Sequence, residues 1–145
     1  MFKLIWVIVI GMLITVINTS WGQAKSWSDN DNGTVNDFAT GLMWQQDDDD
    51  VARSFVGAVS YCENLTLGGK TDWRLPNVKE LRTLGYDLAV SPRISSAEFP
   101  DTETSEYWSV TGASGSPLVA WHVDFNNGTV ATGNVSETHF VRCVR

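Results

Sequence analysis

The two cysteines of this chain, Cys62 and Cys143, constrain its fold more than any other sequence feature. Cys62 lies in the run Ser54 to Leu65, whose apolar residues recur at helical spacing, so its sulfur is predicted to face the core. Cys143 lies in a strand-like run, His139 to Arg145. If the two pair, the bridge ties the first helix to the last strand, and the start and the end of the domain must meet in space.

The first 22 residues have the pattern of a secretory signal peptide. Lys3 gives a positive start, an apolar run follows from Leu4 to Ile17, and the small residues Ser20 and Gly22 precede the expected cut. A retained N-terminal anchor is the alternative, because the bulky Trp21 lies beside that cut. In either case we expect a secreted, periplasmic or cell-surface protein, and in an oxidising compartment an even number of cysteines favours a disulfide over a metal site or a redox thiol.

The remainder of the chain has the composition of one acidic domain. Removing 22 of 145 residues leaves 123, enough for one hydrophobic core and too few for two. The net charge of -7 becomes -8 without Lys3, which disfavours nucleic acid or an anionic membrane as a partner. No later segment approaches the roughly 18 apolar residues of a membrane span. We therefore predict a short spacer at 23–28 and a single domain at 29–145.

Local signals predict two helices in the first half of this domain. The first helix covers Ser54 to Leu65 and ends near Gly68-Gly69. The second begins after Asn77, which can cap it, and Glu80 three residues later completes a capping-box pattern. Gly85 is expected to end this helix.

Turn signals and alternating residues predict short antiparallel strands. An Asn-Gly turn at Asp29 to Val35 joins two of them, and Leu42 to Gln45 forms another. Further on, Tyr107 to Thr111 reads as a strand, Val119 to Phe125 alternates with one apolar face, and an Asn-Gly turn returns the chain through Thr129 to Thr132. Two helices with a small antiparallel sheet indicate an α+β domain.

Several phrases occur in the order seen in the Lcl C-terminal domain family, which this chain resembles over roughly residues 29 to 145. The phrases are DNGTV at 31–35, TGLMWQ at 40–45, YC at 61–62, DWRLPNVKEL at 72–81, FP at 99–100, YWS at 107–109, AW at 120–121 and VRCVR at 141–145. The resemblance implies a C-type-lectin-like fold in which a cysteine of the first helix bridges to the final strand, as Cys62 and Cys143 could. It also implies a bacterial envelope setting and surface binding, with glycans or sulfated polysaccharides as ligands of the adhesin that gives the family its name.

The chain departs from that adhesin in two respects. It has no Gly-X-Y collagen repeat, so a trimerising stalk and its avidity are absent from this sequence. Its acidic charge also argues against a broad polyanion-binding surface. A local basic patch formed by Arg74, Lys79, Arg82 and Arg93 is still compatible with the sequence.

Two acidic segments resemble metal-binding loops. Asp29 to Gly33 carries alternate oxygen ligands followed by glycine, as a calcium loop does, but no bidentate glutamate follows at EF-hand spacing. Asp47 to Asp50 is a denser acidic run before the first helix, where negative charge suits the helix dipole. A hairpin turn and a solvated loop are the favoured interpretations, so no metal site or cofactor is predicted, although calcium at the first segment stays open.

Catalytic patterns are weak. Ser114 lies in Gly112 to Gly115, which lacks the spacing of a nucleophile elbow. His122 and His139 lie in strand-like runs with no motif linking them to a serine or a cysteine, so structural or surface roles are favoured. The sequence predicts a protein that is not an enzyme.

The irregular stretch Tyr86 to Glu106 is the predicted functional surface, because long loops in small domains often carry recognition. Tyr86, Arg93, Glu98 and Asp101 are its candidate ligand-binding residues. Such a loop is expected to vary without disturbing the core. We predict an exported, non-catalytic binding or adhesion module for a glycan or surface polysaccharide, and the alternative is a structural or assembly subunit that binds another surface protein.

Overall fold

The computed structural model describes residues 27–85 and 91–145, so the predicted signal peptide at 1–22 and Tyr86 lie outside the described residues. The elements are β1 Trp27–Asp29, β2 Thr34–Asp37, β3 Leu42–Gln45, α1 Phe55–Glu63, α2 Val78–Thr83, β4 Glu106–Gly112, β5 Val119–Asp124 and β6 Val130–Asn134. Two three-stranded antiparallel sheets, β1-β2-β3 and β4-β5-β6, form where the sequence predicts one. The α+β class is confirmed.

The first sheet is built from two consecutive hairpins. Asp31 and Gly33 adopt positive φ angles of 55° and 79°, so the predicted tight turn is confirmed, but its positive φ angles belong to Asp31 and Gly33 rather than to the pair Asn32-Gly33. Strand β1 already includes Trp27, which packs edge-on against Phe99 with ring centroids 5.4 Å apart. The sheet therefore begins within the predicted spacer.

Helix α1 carries one half of the disulfide. Ser54 caps its start by accepting a hydrogen bond from the backbone N–H of Gly57, and Ala58 and Cys62 are its buried residues. It ends at Glu63, before the predicted Gly68-Gly69, because those glycines instead form a tight turn closed by the bridge between Leu67 and Lys70.

Helix α2 begins with the predicted capping box. Asn77 Oδ1 accepts a hydrogen bond from the N–H of Glu80 at 2.9 Å, and Glu80 Oε2 accepts one from the N–H of Asn77 at 2.8 Å. The same carboxylate receives both terminal nitrogens of Arg74 at 2.7 and 2.8 Å. Glu80 thus joins the helix start to the preceding segment.

Replacing Glu80 by alanine is expected to lower the free energy of unfolding by about 1 to 2 kcal/mol, because the helix loses its cap and Arg74 loses its partner. Urea denaturation of the two proteins measures this difference. Glu80→Gln is the matched control, since its amide oxygen can still accept from Asn77 while its charge is gone. Equal losses in both variants would show that the ion pair, rather than the cap, provides the stability.

The charge of Glu80 should also make stability depend on pH. The hydrogen bonds from Arg74 and then from the Asn77 N–H lower the pKa of Glu80 from its usual 4.5. A carboxyl with a lowered pKa in the folded state contributes stability above its unfolded pKa and loses it as the pH falls through the folded value. The difference in unfolding midpoint between the native chain and Glu80→Gln should therefore shrink as the pH falls below 4.5.

The second sheet is packed on both faces, so the prediction of a single apolar face on β5 is wrong. Val123 and Phe125 belong to one core cluster with Leu81 of α2, whereas Ala120 belongs to a second cluster with Cys62 of α1. His122, on the same face as Ala120, is also buried. The alternation of apolar and polar residues predicts strand β5 correctly. It does not predict that a second layer, which includes α1, covers the face with Ala120 and His122.

The segment His139–Arg145 is not the continuous final strand that the sequence predicts. Its residues form isolated bridges with four separate partners, pairing His139 with Arg53, Phe140 with Tyr107, and Val144 with both Trp44 and Arg74. The segment thus contacts both sheets and the loops beside the helices. It brings Cys143 to Cys62 with their Cα atoms 5.5 Å apart, and the predicted disulfide is confirmed.

Candidate functional site

A buried cation lies at the centre of the domain. The Arg142 side chain is 0% exposed and donates to Asp48, Asp101 and Thr102 at 3.0 to 3.2 Å, and to the carbonyls of Gln45 and Gln46. Tyr107 also donates to Asp48, at 2.6 Å. The solvated acidic loop predicted at 47–50 is therefore wrong at Asp48, whose side chain is only 1% exposed.

Through Arg142 this network connects the loop at 45–48 with the loop at 101–102. Oxygens of Asp48, Asp50 and Asp101 lie within 4.8 Å of one another. Burial raises the pKa of Asp48 and of Asp101, and Arg142 opposes that rise in both. Since one guanidinium already pairs with two of the three carboxylates, we interpret the cluster as a structural ion-pair network.

In the segment Asp29 to Gly33, the side-chain oxygens that could bind calcium already accept hydrogen bonds from protein groups. The Asp29 carboxylate accepts from the Asp31 N–H at 2.8 Å and from Gln46 at 2.8 Å, and the Asn32 side-chain oxygen accepts from Thr34 at 2.7 Å. These contacts are those of a polar hairpin turn.

The described residues of the predicted recognition loop have separate surroundings. Glu98 accepts a hydrogen bond from Ser95, Asp101 is a partner of Arg142, and Arg93 lies beside the β5–β6 turn. The expectation that this loop varies independently of the core is wrong, because two of its residues, Ile94 and Phe99, are buried in the hydrophobic core. Of the candidates that the structure describes, Arg93 is the one whose charged group has no partner in the described part of the chain.

Arg93 lines a small recess together with a second arginine. The recess has a volume of about 120 Å³ and lies between the end of α2, the segment after residue 90 and the β5–β6 turn. Its lining residues are Arg82, Gly85, Arg93, Val123, Phe125, Asn127 and Gly128. We call it the Arg82–Arg93 recess.

Local geometry holds Arg93 against the turn. Its backbone N–H donates to the carbonyl of Phe125 at 2.6 Å, and the neighbouring Ser91 donates to the Asn126 side chain at 2.9 Å. Gly128 has a φ of 78°, and a Cβ added there would lie 2.9 Å from Arg93 Cδ. The glycine therefore provides both the turn and the space for the arginine.

Neither guanidinium of the recess forms an ion pair or a side-chain hydrogen bond with another described residue. In contrast, Arg74 of the predicted basic patch is fully engaged by Glu80. Lys79 is exposed and does not line the recess, so two of the four predicted patch residues, Arg82 and Arg93, come together there. The sequence contains the Asn127-Gly128 turn signal, but only the tertiary fold brings that turn to the two arginines.

A wider groove on α1 is a weaker candidate, because its charged and aromatic groups already have partners. Arg53 pairs with Asp49 and covers the ring of Tyr61, with its guanidinium carbon 4.1 Å from the ring centroid. Tyr61 also receives a hydrogen bond from Gln45 at 2.8 Å. The groove is lined by Arg53, Ser54, Gly57, Ser60, Tyr61, Asn64, Leu65 and Thr66.

Taken together, these features define a disulfide-linked α+β domain whose candidate site is a recess with two cationic side chains. A family model described as the Lcl C-terminal domain matches residues 33–145. The chain therefore belongs to the Lcl C-terminal domain family. No curated protein sequence matches it. Within residues 27–85 and 91–145, no helix has the length and apolar character needed to cross a membrane.

Proposed function

We propose that this chain is an exported, non-catalytic binding module that recognises an acidic group of a glycan or surface polysaccharide at the Arg82–Arg93 recess. The observation that carries the proposal is the pair of guanidinium groups that line one recess without an ion-pair partner among the described residues. In a chain of net charge -7, carboxylates are abundant, so two arginines at one place without a carboxylate partner among the described residues are informative.

The chemistry of the recess fits an anionic substituent of a sugar. Guanidinium groups bind carboxylate and sulfate through paired hydrogen bonds, and they keep their charge at any physiological pH. The volume of about 120 Å³ accommodates one such group, while the sugar ring would lie over the rim near Asn127 and Gly128. Val123 and Phe125 provide apolar surface beneath it.

A single recess of this size supports weak binding that falls with salt. Hydrogen bonds to charged groups contribute about 1.5 to 3 kcal/mol each, and exposed charges are screened over about 8 Å at physiological ionic strength. We therefore expect a dissociation constant for one site in the micromolar to millimolar range, about -8 to -4 kcal/mol. Strong adhesion would require several copies on one surface.

Replacing Arg82 and Arg93 together by alanine should weaken binding to carboxylated or sulfated glycans by at least about 10-fold, because roughly 1.4 kcal/mol corresponds to that factor. A glycan array identifies the ligand, and calorimetry measures the change. The free energy of unfolding should stay within about 1 kcal/mol, since neither charge has an ion-pair partner among the described residues.

Lys79→Ala is the matched control, because this residue lies on the same helix, is exposed, and lies outside the recess lining. It should bind as the native chain does. Binding that survives the double replacement would place the site elsewhere, and equal weakening by Lys79→Ala would indicate only a general charge effect.

Assembly with another protein is the second candidate function, and a small apolar patch favours it. Val56 and Leu118 are 72% and 60% exposed. Val135 connects the segments that carry them, because its N–H donates to the Leu118 carbonyl at 3.0 Å and its carbonyl accepts from the N–H of Phe55, the residue before Val56, at 3.1 Å. A negative glycan array together with a cross-linked partner that is lost in Val56→Ser/Leu118→Ser would support this function.

A further inference from the structure

Two histidines of the second sheet region have ring nitrogens directed at each other. His122 Nδ1 on β5 lies 3.2 Å from His139 Nε2 in the C-terminal segment. The exposed carboxylate of Glu137 approaches the same His139 nitrogen at 3.5 Å. Trp108 packs against His139, with ring centroids 4.2 Å apart, and fixes the imidazole from behind.

These separations are those of donors bound to one tetrahedral metal ion. Two nitrogens at about 2.05 Å from Zn²⁺ and at the tetrahedral angle are about 3.3 Å apart, and a nitrogen and a carboxylate oxygen are about 3.4 Å apart. The observed values are 3.2 and 3.5 Å. Among the described residues these three donors do not all lie within 4.8 Å of one another. Glu137 is 53% exposed, so its carboxylate has to rotate toward His122 to become the third ligand.

Gly133 on β6 leaves room for the Glu137 carboxylate beside His139. Its φ is not positive, so the backbone does not require glycine there. A Cβ at this position would meet Glu137 Oε2 as the carboxylate now lies, and it would lie 3.3 Å from His139 Nε2. Glycine within a strand often marks a close approach, and here the approaching groups are two potential ligands.

We propose that His122, His139 and Glu137 form a binding site for a divalent transition-metal ion of the Zn²⁺ type. The ligand atoms are His122 Nδ1, His139 Nε2 and one Glu137 oxygen, and water completes a tetrahedron. Imidazole with one carboxylate suits zinc, nickel or copper, whereas calcium and magnesium prefer oxygen donors alone. This site is separate from the Arg82–Arg93 recess and does not depend on the proposed glycan binding.

The protonation states of the two rings are compatible with such a site. A neutral imidazole has one N–H and one lone pair, so one of the facing nitrogens donates to the other without a metal. Metal binding shifts that proton to the other nitrogen of the same ring, and both facing nitrogens then offer lone pairs.

The test uses the exported chain without a histidine tag, because a tag would bind the same ions. Titration with ZnCl₂ against a chromogenic chelator should show one equivalent bound, and CoCl₂ should give the visible absorption of a tetrahedral nitrogen and oxygen site. His139→Gln and Glu137→Gln should each weaken zinc binding by at least about 10-fold, as losses at metal sites typically do. Glu137→Gln alters an exposed side chain, so we expect this variant to fold as the native chain does.

Asp50→Asn is the control, because Asp48, Asp50 and Asp101 are the described residues whose ligand atoms already lie within 4.8 Å of one another. It should leave zinc binding unchanged. The proposal is overturned if no zinc binds at millimolar concentration, if binding is unaffected by both His139→Gln and Glu137→Gln, or if only Asp50→Asn abolishes it. Glycan binding, measured in parallel, should not change in any of these variants.

Discussion

Replacing Arg142 by methionine is expected to lower the free energy of unfolding by about 3 to 5 kcal/mol, the usual cost of breaking a buried ion pair by removing one partner. Methionine fills a similar volume but leaves the carboxylate of Asp48 without its cation. It also leaves Thr102 and two backbone carbonyls without their donor. Urea denaturation followed by tryptophan fluorescence measures the loss.

Arg145→Met is the matched control, since it makes the same change three residues further along in an ion pair that solvent reaches. Arg145 pairs with Asp72, whose side chain is 64% exposed. Its loss should therefore cost no more than about 1 kcal/mol. Similar costs for the two variants would contradict the view that burial makes Arg142 critical.

A double variant separates the charge from the packing. If the cost of Arg142→Met comes from an unpaired Asp48, then adding Asp48→Asn should cost less than the sum of the single changes. Simple additivity would mean that the two side chains contribute independently, despite the 3.2 Å contact between them.

Removing the disulfide is the second change with a large expected effect. The Cys62→Ala/Cys143→Ala variant should lose about 2 to 5 kcal/mol, because the bridge closes a long loop in the unfolded chain. The two residues are 81 positions apart, so α2 and the whole second sheet lie inside that loop. The urea midpoint of the oxidised native chain, compared with that of the variant, gives the measurement.

Reduction provides the control for this prediction. Dithiothreitol should bring the native chain to about the stability of the double variant and should leave the variant unchanged. Two free thiols found by alkylation of the untreated native chain would contradict the prediction, as would a loss below about 1 kcal/mol.

Features encoded by neighbouring residues could be predicted from the sequence. The capping box of Asn77 and Glu80 needs only a three-residue spacing, and the structure has both of its hydrogen bonds. The strand Leu42–Gln45 has the predicted bounds, because the Thr40-Gly41 turn precedes it directly. In these places the local chain conformation decides the outcome.

Features that depend on distant residues could not be predicted in this way. Asp48 reads as one of four solvated carboxylates, and it is buried because Arg142, 94 positions away, pairs with it. Similarly, Arg82 and Arg93 are separated in the sequence, and they line one recess only because the β5–β6 turn lies against both of them in the fold. Charged residues that meet across long sequence separations produce no periodic pattern in the sequence, so sequence periodicity cannot reveal them.

The bridges of the segment His139–Arg145 determine the order in which this protein can complete its fold. Val144 pairs with Trp44 and with Arg74, residues that are synthesised long before it. Until residues 139–145 are available, the two sheets lack their shared partner and Cys62 has no cysteine to oxidise with. Contacts of such large sequence separation form slowly, because the chain must first close long loops. The nascent domain should therefore remain open to proteases until residues 139–145 have been synthesised.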